Sequence, residues 1–153
     1  MQTTPPTIRI SVRDQRLDLV SEDAVLASYP VSTSRFGLGS EEGSMKTPLG
    51  RFQIGEKIGA DFSAGTVFRS RLPLPPNEAV PSTDDLVLSR ILWLDGLEEH
   101  NANTRDRFIY IHGTNHEDVI GEPASHGCIR MKNSDLIALF ERVPLGAEVV
   151  ISA

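Results

Sequence analysis

Apolar residues that recur at every second position, in runs too short for a helix, narrow the possible fold of this chain more than any other feature. Ile8, Ile10 and Val12 alternate with polar residues, and Leu17 and Leu19 resume the same period beyond Asp14 and Gln15. Successive side chains of a strand point to opposite faces, so this spacing gives one dry face and one wet face and predicts an opening β-hairpin. Val25 to Val31, Arg51 to Glu56, Thr66 to Arg69, Leu86 to Leu94, Phe108 to His112 and Ala147 to Ser152 are further runs of strand length, several rich in β-branched and aromatic residues. Ser32 to Pro48 has neither period and reads as an exposed loop. Leu72 to Asp85 carries four prolines, which excludes a helix or a central strand and predicts a long surface excursion of the functional kind.

One helix is expected. Asn133 is the candidate cap, Asp135 suits the positive end of the dipole, Leu136, Ile137 and Phe140 form an apolar stripe, and Pro144 stops the run. No repeat, low-complexity tract or linker interrupts the chain. The expectation is a mainly β domain, a sandwich or a partly closed barrel, with one short C-terminal helix, in a single unit over 1–153 whose core runs from about 8 to 151.

Composition excludes several classes. A formal charge of -6 argues against nucleic-acid and anionic-membrane surfaces, which need a basic patch. The longest apolar runs, such as Ile91-Leu92-Trp93-Leu94, fall far short of the roughly 20 residues of a spanning helix. Met1 to Val20 has no basic start followed by an apolar run, so a cytoplasmic location is expected, or a periplasmic one if a leader has been removed. A single cysteine excludes an internal disulfide framework.

That cysteine lies in Ser125-His126-Gly127-Cys128-Ile129-Arg130-Met131, and His112 ends an apolar strand sixteen residues upstream. A free thiol is only a few per cent thiolate at neutral pH, so a nucleophilic Cys128 needs a base, and His112 is the candidate. Gly127 allows close backbone approach, and the Gly127 and Cys128 amides are candidate oxyanion donors. Arg130, two residues on, shares the extended face of Cys128 and suits a carboxylate bidentately, a solvated arginine being the alternative. Cys128 is otherwise a small buried apolar residue. A zinc site built from His112, His116, His126, Cys128, Glu117 and Asp118 is a weaker reading, since neither Cys-x-x-Cys nor His-Glu-x-x-His occurs and a metal would occupy the thiolate.

His112-Gly113-Thr114 followed by the Ser125 to Met131 motif closely resembles the signature of the L,D-transpeptidase catalytic domain family. Tyr29-Pro30-Val31-Ser32-Thr33 and Thr47-Pro48-Leu49-Gly50-Arg51-Phe52 resemble a family strand and the turn before its next strand. The resemblance implies a β-sandwich-like domain with a deep cleft, the nucleophile at Cys128 and the base at His112, with Gly113 orienting His112 through its carbonyl. It also implies that Ser125, His126 and Gly127 shape the oxyanion site and cleft wall, with Arg130 beside the substrate. Such enzymes act on peptidoglycan stem peptides, as tetrapeptides or muropeptides, at the bond before a terminal D-alanine, and are targets of carbapenem β-lactams. Water as acceptor gives an L,D-carboxypeptidase, the expectation here, as an enzyme of murein recycling. An amine gives L,D-transpeptidation, either a cross-link between third residues or D-amino acid exchange. No metal or organic cofactor is implied. A zinc hydrolase and a non-catalytic wall-fragment binding module are the competing classes. Leu97 to Thr104 is expected as a polar loop, over the cleft or merely solvated, and oligomeric state is not legible.

Overall fold

The computed structural model describes residues 5–153 other than 77, 79 and 82. Its strands are β1 (Thr7–Ser11), β2 (Arg16–Ser21), β3 (Ala24–Ser32), β4 (Gly50–Ile58), β5 (Val67–Arg69), β6 (Leu72–Pro73), β7 (Val87–Gly96), β8 (Tyr110–Gly113), β9 (Ile129–Met131) and β10 (Glu148–Ser152). A single helix, α1 (Asn133–Arg142), links the last two, and short 3-10 turns cover Glu99–Asn101 and Glu117–Val119.

The opening hairpin forms in the register that the alternation requires, Ile8 opposite Leu19 and Ile10 opposite Leu17. All four are at most 1% exposed. Strand order is β4-β10-β1-β2-β3-β9-β8-β7-β5-β6, and β4 also pairs with β7. Eight strands therefore close into a ring, and β5 with β6 hangs from the edge of β7 as a hairpin. Closure satisfies edges that would otherwise be open to another chain. β6 is only two residues long, as the prolines of its segment demand; positions 77, 79 and 82 of that excursion lie outside the described residues.

Ile8, Ile10, Leu17, Leu19, Phe52 and Ile111 belong to the main core, which also takes Leu136, Leu139 and Phe140 of α1. Each such side chain contributes about 1.5–3 kcal/mol on burial. Leu139 takes the place in the stripe expected of Ile137, which is only half-buried. A second difference concerns the start of α1. Asn133 is its first helical residue rather than its cap, and Lys132 holds the cap position without a capping side-chain bond. The Asn133 amide instead donates to Glu117 Oε2 at 2.7 Å, so a carboxylate from a distant turn neutralises the positive helix end. At the other end Lys57 Nζ, from β4, donates to the carbonyls of Phe140 and Val143 at 2.8 and 2.7 Å.

The ends of the Ser32 to Pro48 segment are not exposed. Ser32, Thr33, Ser34 and Thr47 are buried; the Thr33 carbonyl accepts from the Ser125 amide at 2.9 Å and the Ser32 hydroxyl donates to the Val119 carbonyl at 3.1 Å. Among the described residues, no helix is long and apolar enough to cross a membrane.

Candidate active site

β8 is the backbone of the site. Its side chains alternate so strictly that Ile109 and Ile111 enter the main core while Tyr110 joins a smaller cluster with Phe68 and Ile91. His112 must share the Tyr110 face. β9 runs parallel to β8, with Ile111 opposite Ile129 and His112 opposite Arg130. Ile129 and Met131 point to the main core, so Arg130, and Cys128 one residue before the strand, face the other way. Cys128 packs against the Tyr110 cluster. The sheet thereby brings His112, Tyr110, Cys128 and Arg130 to one face, with Cys128 diagonal to His112 across neighbouring strands.

His112 is 2% exposed, and its Nδ1 lies 2.5 Å from the Gly113 carbonyl oxygen. A carbonyl only accepts, so Nδ1 carries the proton and Nε2 keeps its lone pair. This arrangement depends on Gly113. A Cβ there would meet Asn133 Oδ1 at 2.1 Å and the Leu88 carbonyl at 2.6 Å. β7 is bulged opposite, between Leu88 and Ile91, with Ser89 held at φ +73° and its hydroxyl donating to Asn133 Oδ1 at 2.7 Å. Bulges beside reactive residues commonly re-aim a side chain in this way.

Cys128 is half-buried. Its Sγ accepts from the Tyr110 amide at 3.3 Å and donates to the Phe108 carbonyl at 3.3 Å. Burial pushes the thiol up to about 11, against the Tyr110 amide, which favours the thiolate. Burial likewise lowers His112 below the ordinary imidazole value, opposed by the Gly113 bond and by Asp85. At neutral pH the resting pair is therefore thiol and neutral imidazole. The imidazole is an acceptor, and the proton is still on sulfur.

Gly127 has φ +123°, a conformation that favours glycine and turns the chain into Cys128. Ser125 Oγ donates to the Cys128 carbonyl at 2.6 Å and accepts from the Gly127 amide at 3.3 Å. Thr47 Oγ1 donates to the Gly127 carbonyl at 3.0 Å and accepts from the Ser34 amide at 2.9 Å. The 33–48 segment is thus a brace for the motif loop. His126 lies at the rim, its Nδ1 donating to Asp85 Oδ2 at 3.1 Å. Arg130 is 4% exposed and pairs with the same Asp85 oxygen at 2.9 Å, so it is not a solvated arginine, and the carboxylate it holds is the protein's own. Burial would raise Asp85, but the bonds from Arg130 and His126 outweigh it and leave the carboxyl below its usual range.

Sequence reasoning passed over Asp85, Tyr110 and Arg107. Asp85 ends the proline-rich excursion, where its only signal was the expectation that so long a loop is functional. Arg107 donates to the Lys46 carbonyl at 2.7 Å and, with Glu42, Gly43, Met45, Phe108 and His126, lines a cleft of about 300 Å³, of which Phe108 also bonds Cys128 Sγ through its carbonyl. His116 is turned away, bonded to the Asp84 carbonyl. The 97–104 segment binds the start of β4, through Asn101 to the Leu49 and Arg51 carbonyls. Among the described residues no group of three or more His, Cys, Asp or Glu is placed to hold a metal.

A mainly β domain that sets one cysteine and one buried histidine on a common sheet face defines the class of protein. The chain belongs to the YkuD family of L,D-transpeptidase catalytic domains, whose sequence model matches residues 5–151. It is similar to two Bacillus subtilis proteins whose own assignment as L,D-transpeptidases is provisional. YqjB is 27% identical over 96% of this chain and 71% of the relative. YkuD is 29% identical over 98% of this chain and 68% of the relative. In fold it is similar to an L,D-transpeptidase from Mycobacterium smegmatis (TM-score 0.65, 16% identity, 97% of this chain). L,D-transpeptidase 3 from Mycobacterium tuberculosis in complex with a faropenem-derived adduct also matches (TM-score 0.64, 15% identity, 97% of this chain). The chain spans 59% and 60% of those two structures.

Proposed function

We propose that this domain is a cysteine acyl-transfer enzyme of peptidoglycan metabolism that cleaves the L,D bond before the terminal D-alanine of a tetrapeptide stem. The supporting observation is the Gly113 carbonyl on His112 Nδ1, which leaves Nε2 as a proton acceptor on the face that carries Cys128. In this reading Nε2 takes the thiol proton as Sγ bonds to the carbonyl carbon, and the Cys128 amide steadies the oxyanion, the Gly127 amide being taken by Ser125 Oγ. The C–N bond then breaks, D-alanine leaves with the proton from His112, and a thioester remains. An acceptor loses a proton to His112 as it attacks the thioester, returning the thiol.

Water needs nothing beyond these residues, whereas an amine acceptor, a D-amino acid or a second stem, needs groups that hold it in place against water. The proposal is therefore L,D-carboxypeptidase action, with transpeptidation as the outcome to be distinguished from it. Incubation with tetrapeptide, with and without a D-amino acid, followed by mass analysis decides. Tripeptide alone supports hydrolysis, and exchanged or dimeric product makes the enzyme a transferase. Turnover that survives Cys128→Ala, or is lost to chelators, would overturn the cysteine reading in favour of a metal hydrolase. Binding without turnover would leave a wall-fragment binding module.

A further inference from the structure

A donor peptide cleaved at this site brings a carboxylate with it, on the residue that leaves, and a half-buried thiol on a face that already holds the Asp85 carboxylate against Arg130 is a poor place for an unpaired anion. The arginine that the motif offers does not meet this need. Arg130 is buried and already neutralised by Asp85 at 2.9 Å, and Arg107 is tied to the Gly39, Ser44 and Lys46 oxygens. Ion pairs among the described residues take up Arg16, Arg51, Arg105 and Arg130. Arg71 is in none of them.

Arg71 stands at the tip of the β5–β6 hairpin. Arg69 and Leu72 are paired, which leaves a two-residue turn of Ser70 and Arg71 at φ +50° and +65°. A turn with both central residues left-handed favours Asn-Gly, and a Ser-Arg pair is held there only because its surroundings impose it. Those surroundings lie next to the nucleophile. The guanidinium carbon lies 4.8 Å from the Phe108 ring centroid and 5.0 Å from that of Trp93, and Nη1 donates to the Tyr110 hydroxyl at 3.1 Å. Phe108 and Tyr110 are the two residues whose backbone groups hold Cys128 Sγ, at 3.3 Å each. One of five guanidinium donors is used, the plane is fixed by aromatic faces, and no carboxylate of the described residues neutralises it.

We propose that Arg71 receives the carboxylate of the amino acid leaving from the donor peptide, and so selects donors with a free C-terminus. The role in catalysis rests on the acyl-transfer reading above; the anion site does not. It follows that an anionic reagent is drawn to Cys128 more than its neutral counterpart, and that this preference depends on Arg71.

Two measurements on the full chain test this. First, Cys128 is alkylated with iodoacetate and with iodoacetamide, and the ratio of the two rates is compared across variants. Arg71→Gln should lower the ratio by about tenfold, as loss of one charge-assisted contact implies, while Arg71→Lys keeps most of it. A ratio unmoved by Arg71→Gln overturns the proposal. Second, kcat/KM is measured for a tetrapeptide ending in D-alanine and for its C-terminal amide. The acid should be preferred roughly 10- to 100-fold, and Arg71→Gln should erase most of that preference. An equal fall on both substrates would mean that Arg71 only supports the hairpin, and would overturn the proposal too. If the unaltered enzyme cleaves neither peptide, the substrate reading fails, and the alkylation ratio still decides whether Arg71 forms an anion site.

Discussion

Asp85 and Arg130 meet at 2.9 Å, joining the end of the proline-rich excursion to the strand that follows Cys128. The same Asp85 oxygen also takes His126 at 3.1 Å, so one carboxylate fixes two residues of the motif. The Asp84 carbonyl next to it is held by Asn115 and His116. The segment is thereby clasped on both sides, and the wall of the site has a fixed position before any substrate arrives.

Asp85→Ala should destabilise the domain by about 2 kcal/mol, because it leaves the buried Arg130 charge without a partner while Asp85 itself is partly solvated. Arg130→Met in the same background should recover part of that loss. Urea denaturation near neutral pH measures both. Since the folded-state value of Asp85 is depressed below 3.8, the pair's contribution is present above the ordinary carboxylate range and is lost as pH falls through the lowered value. Parent and Asp85→Ala protein should therefore converge in strong acid.

The single thiol of this chain, set in a domain of the L,D-transpeptidase family, leads to a direct assay. A penem or carbapenem should add its mass once to the intact protein and not to Cys128→Ala. Mass spectrometry that finds no adduct on protein active toward a stem peptide would count against Cys128 as nucleophile.

Gly113→Ala should cost about 1–3 kcal/mol of stability, the usual range for overpacking. Its Cβ would sit 2.6 Å from the Leu88 backbone carbonyl, which cannot step aside. Activity should fall further, on the order of 100-fold, because the carbonyl that fixes the His112 tautomer moves with the strand. Thermal denaturation and kcat/KM measured together separate the two effects; activity unchanged at lowered stability would remove Gly113 from the machinery.

The pH profile of acylation should have a wide plateau. His112 is lowered from 6.5, so the neutral imidazole persists below the ordinary histidine range and the acidic limb lies under 6.5. Cys128 is raised to about 11, so the thiol persists until strongly alkaline pH, where the proton needed by the leaving group is lost. A narrow bell centred on neutrality would show that a preformed thiolate and imidazolium, rather than the neutral pair, is the reactive state.

Local rules were enough for part of this. The period of two in Ile8, Ile10, Leu17 and Leu19 dictated a hairpin and its register, because neighbouring strands joined by a short turn leave no other way to bury one face. The residue types around His112 and Cys128 likewise carried the family resemblance, which the match over residues 5–151 bears out. Tertiary structure decided what depends on distant partners. β9, three residues long, exists because β8 and β3 pair with it, not because its own sequence demands a strand. Asn133 did not become a cap, because Ser89, Thr114 and Glu117 claim its polar groups. Asp85 reaches His126 from 41 residues away, and Arg71 reaches Tyr110 from 39. Spacing along a chain carries no information about such contacts; they arise only when closure of the strand ring and the hanging hairpin bring separate segments onto one face.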